Sequence, residues 1–208
     1  MTGAVNREAW ERAWSGLGVL APPAKEYDAL VACYAEPHRA YHTQRHLDEC
    51  LAQLAAVRPS CSHPDEVALA LWYHDAIYKA RRSDNEVRSA DWLVRLAKHV
   101  GVPIVATDRM RELVLATRHD AVPVDVDAQI LVDIDLSILG AGADRFDEYE
   151  NQIRREYRWV PLPLYRSQRA RILESFIKRP RIYSTKHFFG QLETRARENI
   201  ERSLSGLR

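Results

Sequence analysis

The chain has 208 residues, 46% of them hydrophobic, with 30 Lys+Arg against 29 Asp+Glu and a formal net charge of +1. That length buries a core without staples, and the near-even charge excludes a strongly basic binder of nucleic-acid polymers. No 18-residue apolar run exists to span a membrane, and residues 1–14 carry charges where a signal peptide needs an apolar stretch, so a cytoplasmic protein is expected.

In chain order, residues 45–57 read as a helix with Leu47, Leu51, Leu54 and Ala55 inward, stopped by Pro59. Residues 64–78 follow, with Pro64 at the start, Asp65 and Glu66 in the first turn, and Val67, Leu71, His74 and Tyr78 on one face. Asp84 is the expected N-cap of a helix over 85–100, and Gly101 its C′ residue. Helices over 103–119, 127–139, 144–158, 165–178 and 188–204 complete the reading, with the proline-rich join at 160–164 as the one weak seam. The expected class is all-α, a single helical domain over 1–208 with its core within about 30–205. Cys33, Cys50 and Cys61 contain no Cys-x-x-Cys pair and read as buried apolar residues.

Three places set histidine or aspartate among apolar residues. His42 and His46 stand at i and i+4, a shared face if both are helical. His74 and Asp75 are adjacent at the end of an apolar helix, and Asp133 and Asp135 lie inside an apolar run. An unpaired buried carboxylate is costly. A divalent metal ion is the simplest partner for several carboxylates at once, with neutral imidazole a good ligand beside them. His46, His74, Asp75 and Asp135 would together offer nitrogen and oxygen donors suited to manganese, iron, zinc, cobalt or magnesium. Asp133 and Asp135 diverge by about 200° on a helix, so one of the two faces such an ion.

The order His, His-Asp, Asp on helices resembles the HD-domain metal-dependent phosphohydrolase superfamily, with gaps of 28 residues from 46 to 74 and 60 from 75 to 135. Tyr41-His42-Thr43-Gln44-Arg45-His46 and Asp135-Leu136-Ser137 resemble motifs of its distant members, the cyclic nucleotide phosphodiesterases, with Thr43 departing from their Asn. The chain is more closely similar to a bacterial group described only as predicted metal-dependent HD phosphohydrolases. Trp72 to Asp75, Asp84-Asn85-Glu86 with Ser89-Ala90, Thr117-x-His119, Asp133-x-Asp135-Leu136 with Leu139-Gly140, and Arg154-x-Glu156-Tyr157 carry that likeness.

The resemblance implies a phosphate-ester hydrolase acting through metal-activated water on a small phosphorylated substrate, most simply a nucleotide. His46, His74, Asp75 and Asp135 would ligate the ion; Asp135 matches the Asp-Leu position, and Asp133 would orient a ligating histidine. His42 would protonate the leaving oxygen, and Glu86 would orient the water. Arg45, Lys79, Arg82, His119 and Arg154 would receive the phosphate. A two-iron oxygenase, or a metal- or nucleotide-binding module without turnover, are the alternatives. No Gly-x-Ser-x-Gly elbow supports a serine hydrolase. Self-association is left open.

Overall fold

Few glycines and apolar spacings of three and four produce a chain of helices. The computed structural model describes residues 4–207, with ten α-helices and no strand among them. They are α1 (Arg7–Gly16), α2 (Ala24–Tyr34), α3 (Gln44–Val57), α4 (Pro64–Tyr73), α5 (Asn85–His99), α6 (Ile104–Ala116), α7 (Val126–Asp135), α8 (Ala143–Glu156), α9 (Leu162–Ile177) and α10 (Lys186–Leu207). Short 3-10 turns at Arg58–Ser60 and Leu136–Gly140 follow α3 and α7. The class is all-α, and no described helix is long and apolar enough to cross a membrane.

The described residues fall into two units that part inside α7, one ending at Val132 and the other beginning at Asp133. In the first, α4 is the hub. It is buried at every position from Glu66 to Tyr73, which an all-apolar helix requires, and α1, α3, α5 and α6 pack against it. Its start is capped from a distance: the Ser62 and His63 amides donate to the Asp127 carboxylate at 2.7 and 2.8 Å. Glu66 within it pairs with Arg109 of α6 at 2.5 Å.

The helix ends at Tyr73, short of the expected Tyr78. Groups outside the helix take the backbone of the residues that follow it. Arg39 donates to the Asp75 and Ala76 carbonyls (2.6 and 3.0 Å), Ser89 exchanges hydrogen bonds with both backbone groups of Ile77, and Asn85 does the same for Lys79. A helical continuation would have to give these up. Gly101 takes the expected C′ place after α5 at φ +82°. Asp84 precedes α5 but makes no capping bond; its carboxylate is held by Arg82.

In the second unit, α10 packs along α9 and along the Leu136–Gly140 turn. Gly140 is required there, because a Cβ would stand 2.6 Å from Leu192 Cβ. Asn199 donates to the Leu139 and Ala141 carbonyls, both at 2.9 Å, and Tyr183 donates to the Leu136 carbonyl.

Candidate metal centre

The buried face of α3 runs His46, Leu47, Cys50, Leu54, Val57. His46 therefore enters the core beside the end of α4, where the chain turns through His74 and Asp75. His46 and His74 are 2% and 1% exposed, and their Nε2 atoms are 3.1 Å apart. Asp75 Oδ2 lies 3.1 Å from His74 Nε2 and 3.6 Å from His46 Nε2. Cys50, one turn beyond His46, has its Sγ 3.7 Å from His46 Nδ1.

The hydrogen bonds fix what these atoms are. His74 Nδ1 donates to the Leu71 carbonyl at 2.7 Å, so in the neutral ring Nε2 is a bare lone pair. That lone pair meets a carboxylate oxygen, which only accepts. Burial raises the Asp75 pKa, but the charges of His74, His42 and His46 outweigh it and hold the carboxyl below its ordinary range. A positive charge satisfies this pair, either a proton on the His74 ring or a cation shared by the two atoms. Ligand atoms about 2.1 Å from one tetrahedral ion stand roughly 3.4 Å from each other, close to the spacing seen here. A ring nitrogen held by a backbone carbonyl is also how metal-ligating histidines are oriented. The donor set fits a divalent ion: His46, Cys50 and His74 each offer one ligand atom, all within 4.8 Å of one another, and can hold a metal ion.

The scaffold around these residues comes largely from a residue that sequence reasoning passed over. The Arg39 side chain is fully buried and donates to the His42 carbonyl (3.1 Å) as well as to those of Asp75 and Ala76, while Glu36 balances its charge at 3.0 Å. It thus joins the backbones of the two histidine motifs. His38, given no role from sequence, donates to the Tyr78 carbonyl at 2.8 Å, and the Tyr78 ring stacks on His42 at 4.0 Å. Tyr41 lies against both His42 and His46. Cys50 was also missed as a candidate ligand; the i, i+4 spacing from His46 was its signal. Cys33 and Cys61 are only half-buried, which corrects the reading of all three cysteines as buried.

His42 does not share a helix face with His46. It lies in the turn before α3, whose N-cap, Thr43, is extended, and ring stacking sets its place 6.0 Å from the His46 ring. Glu86 is half-buried in the first turn of α5, and no hydrogen bond or ion pair ties it to His46, His74 or Asp75. Arg45 and Lys79 are exposed and pair with Glu49 (3.2 Å) and Glu36 (3.5 Å), surface pairs that hold little energy.

Three of the expected residues are held by other partners. Arg82 grips the Asp84 carboxylate with two bonds of 2.5 and 2.6 Å, so its charge is already matched. Arg154 donates to the Tyr157 and Val160 carbonyls (2.7 and 3.2 Å) and covers the Tyr165 ring, tying off the end of α8. Asp133 is fully buried and accepts from the Ser184 and Thr185 amides (2.8 and 2.7 Å) ahead of α10, so it anchors that helix rather than a histidine. His119 lies just after α6 in a left-handed conformation, φ 58°, which costs a non-glycine residue about 1 kcal/mol or more. Asp135 is the last residue of α7, half-buried.

Compared with models of known families, with curated proteins and with solved structures, the chain matches none.

Proposed function

We propose that this protein is a metal-dependent hydrolase of a small phosphate ester, a nucleotide being the simplest substrate. The observation that carries the reading is the convergence of His46 Nε2, His74 Nε2 and Asp75 Oδ2, three atoms that a shared cation would satisfy. The order and spacing of these residues, and their likeness to the HD superfamily, support the choice of reaction. When bound, a divalent ion supplies a water of lowered pKa and a positive charge for a phosphoryl oxygen.

The chain's own residues do the rest. His46, His74 and Asp75 would hold the ion, with Cys50 one turn beyond His46 as a further donor. Leu71 fixes the His74 tautomer through its carbonyl, and Arg39 fixes the backbone at Asp75 and His42. His42, stacked on Tyr78 and near Asp75, holds a proton for the leaving oxygen. The substrate arrives as a small phosphorylated molecule in the cytoplasm.

The test is to strip the protein with chelator and add back manganese, cobalt, iron, magnesium or zinc. An aryl phosphate, an aryl phosphodiester and a nucleotide panel are then assayed, with His74→Ala and Asp75→Ala beside the parent. Turnover that requires metal and is lost in both variants is the expected result. Metal uptake at these residues with no turnover of any ester overturns the hydrolase. Oxygen consumption by the iron form would then mark an oxygenase, and tight nucleotide binding alone a sensing module.

A further inference from the structure

Charge is unevenly spread in the second unit. Residues 154–171 hold six arginines against one glutamate, in a chain whose net charge is only +1. That glutamate, Glu156, is buried. Arg169 is matched by Glu150, and Arg154 has its donors on carbonyls. Arg155, Arg158, Arg166 and Arg171 are exposed and make no ion pair with a described residue.

Large apolar side chains stand out of the same stretch. Trp159 is 47% exposed, Leu162 47% and Leu164 51%. They lie at the join of α8 and α9, within six residues of one another. A hollow beside Leu162, bordered also by Ala170, Leu204 and Leu207, continues the apolar surface to the end of α10. One exposed leucine is ordinary, but a cluster interleaved with unpaired arginines marks a contact surface.

The join is built to stay folded while exposed. The Val160 amide donates to the Tyr157 carbonyl and the Tyr165 amide to the Pro161 carbonyl, both at 2.9 Å, and Arg154 ties the same turn from its side chain. Pro161 and Pro163 carry no N–H at all. The tip therefore presents few unpaired backbone donors, as an apolar phase demands, and needs no ordering on contact.

The mixture of side chains selects the occupant. Indole, aliphatic carbon and guanidinium together match a bilayer interface: tryptophan sits among headgroups, leucine reaches acyl carbon, and arginine meets anionic phosphate. A nucleic acid would be met by aromatic faces, and exposed leucines add nothing to stacking. No described helix is long and apolar enough to cross a membrane, so the contact is a surface one.

We infer that the α8–α9 join docks this protein on bilayers that contain anionic phospholipid. Trp159, Leu162 and Leu164 enter the interface, and Arg155, Arg158 and Arg166 hold the headgroups. The inference does not rest on the hydrolase reading.

The experiment is cosedimentation of the full chain with vesicles of phosphatidylcholine and phosphatidylserine in equal parts, and with phosphatidylcholine vesicles alone. One variant combines Leu162→Gln with Leu164→Gln, the other Arg158→Gln with Arg166→Gln, and the thermal midpoint of each is recorded. The parent is expected to sediment with the mixed vesicles only, and less as salt rises. Each double variant should bind about tenfold or more weakly, with its midpoint unchanged. Mixed vesicles with brominated acyl chains should also quench the parent's fluorescence, because Trp159 is the most exposed of the five tryptophans. A parent that stays in solution, or binds phosphatidylcholine alone equally well, overturns the inference. Equal binding by the parent and both variants overturns it too. So does loss in one variant only: the arginine pair alone would mark an acidic macromolecule such as single-stranded RNA, and the leucine pair alone an apolar partner. Should a variant fold poorly, the parent's quenching decides, and its absence overturns the inference.

Discussion

At the scale of single residues, the centre depends on one arginine that touches no ligand. Arg39 satisfies carbonyls on both sides of the site, and Glu36 balances its charge. Arg39→Met is expected to lower the unfolding free energy by about 3 kcal/mol, measured in urea, because it leaves buried carbonyls without donors and Glu36 without its partner. Metal affinity should fall with it by about tenfold or more, since the backbone at Asp75 loses its anchor. Cys61 offers a second check. Burial, aided by the Asp127 charge, pushes its thiol up to about 11 from 9. The folded state thus favours the neutral thiol. Its contribution to stability is complete below pH 9 and is lost as pH rises through 11. Alkylation of the Cys61 peptide, followed by mass spectrometry, should rise across that window and be slow at pH 8. His46, His74 and Asp75 were legible because titratable side chains in apolar helical runs demand partners. Arg39 was not, because a buried arginine and a solvated one look alike until the carbonyls it serves are placed. Cys50 was hidden for a related reason: a thiol is a passable apolar residue, and only the nearness of His46 makes it a candidate ligand.

At the scale of helices, existence was easier to read than limits. The eight helices from α3 onward follow the apolar spacing of the sequence, whereas α1 and α2, with Trp10, Trp14 and Leu30 in the core, were not assigned. The ends went astray where stabilising groups come from elsewhere in the chain. Asp84 has the composition of a cap and makes none, while Asp127 and Asp133 cap from a distance the amides preceding α4 and α10. A sequence window sees only neighbours, so neither aspartate could announce its role. Asp127→Ala is expected to cost about 2 kcal/mol of stability in urea, a strong capping loss, with metal affinity unchanged because His74 is at the other end of α4. Equal stability of variant and parent would show that the Ser62 and His63 amides find other acceptors.

At the scale of the whole molecule, an ion that binds only the folded chain must stabilise it. At a free metal concentration 100 times its dissociation constant, the gain is about 2.7 kcal/mol, which for a chain of this size raises the thermal midpoint by roughly 5–10 °C. Scanning calorimetry with and without metal measures this, and His74→Ala should show no rise. The loop after His74 has a wider consequence. Its backbone is paired with side chains, Asn85 for Lys79 and Ser89 for Ile77, much as a neighbouring strand would pair it. A strand's pairing survives most changes of sequence, because every residue type brings the same peptide group. Here the pairing is written in particular side chains, those of Arg39, His38, Asn85 and Ser89. A descendant chain that exchanged Asn85 and Ser89 for alanine would keep its helices and leave the loop backbone at Ile77 and Lys79 unpaired, while Arg39 and His38 still held Asp75, Ala76 and Tyr78.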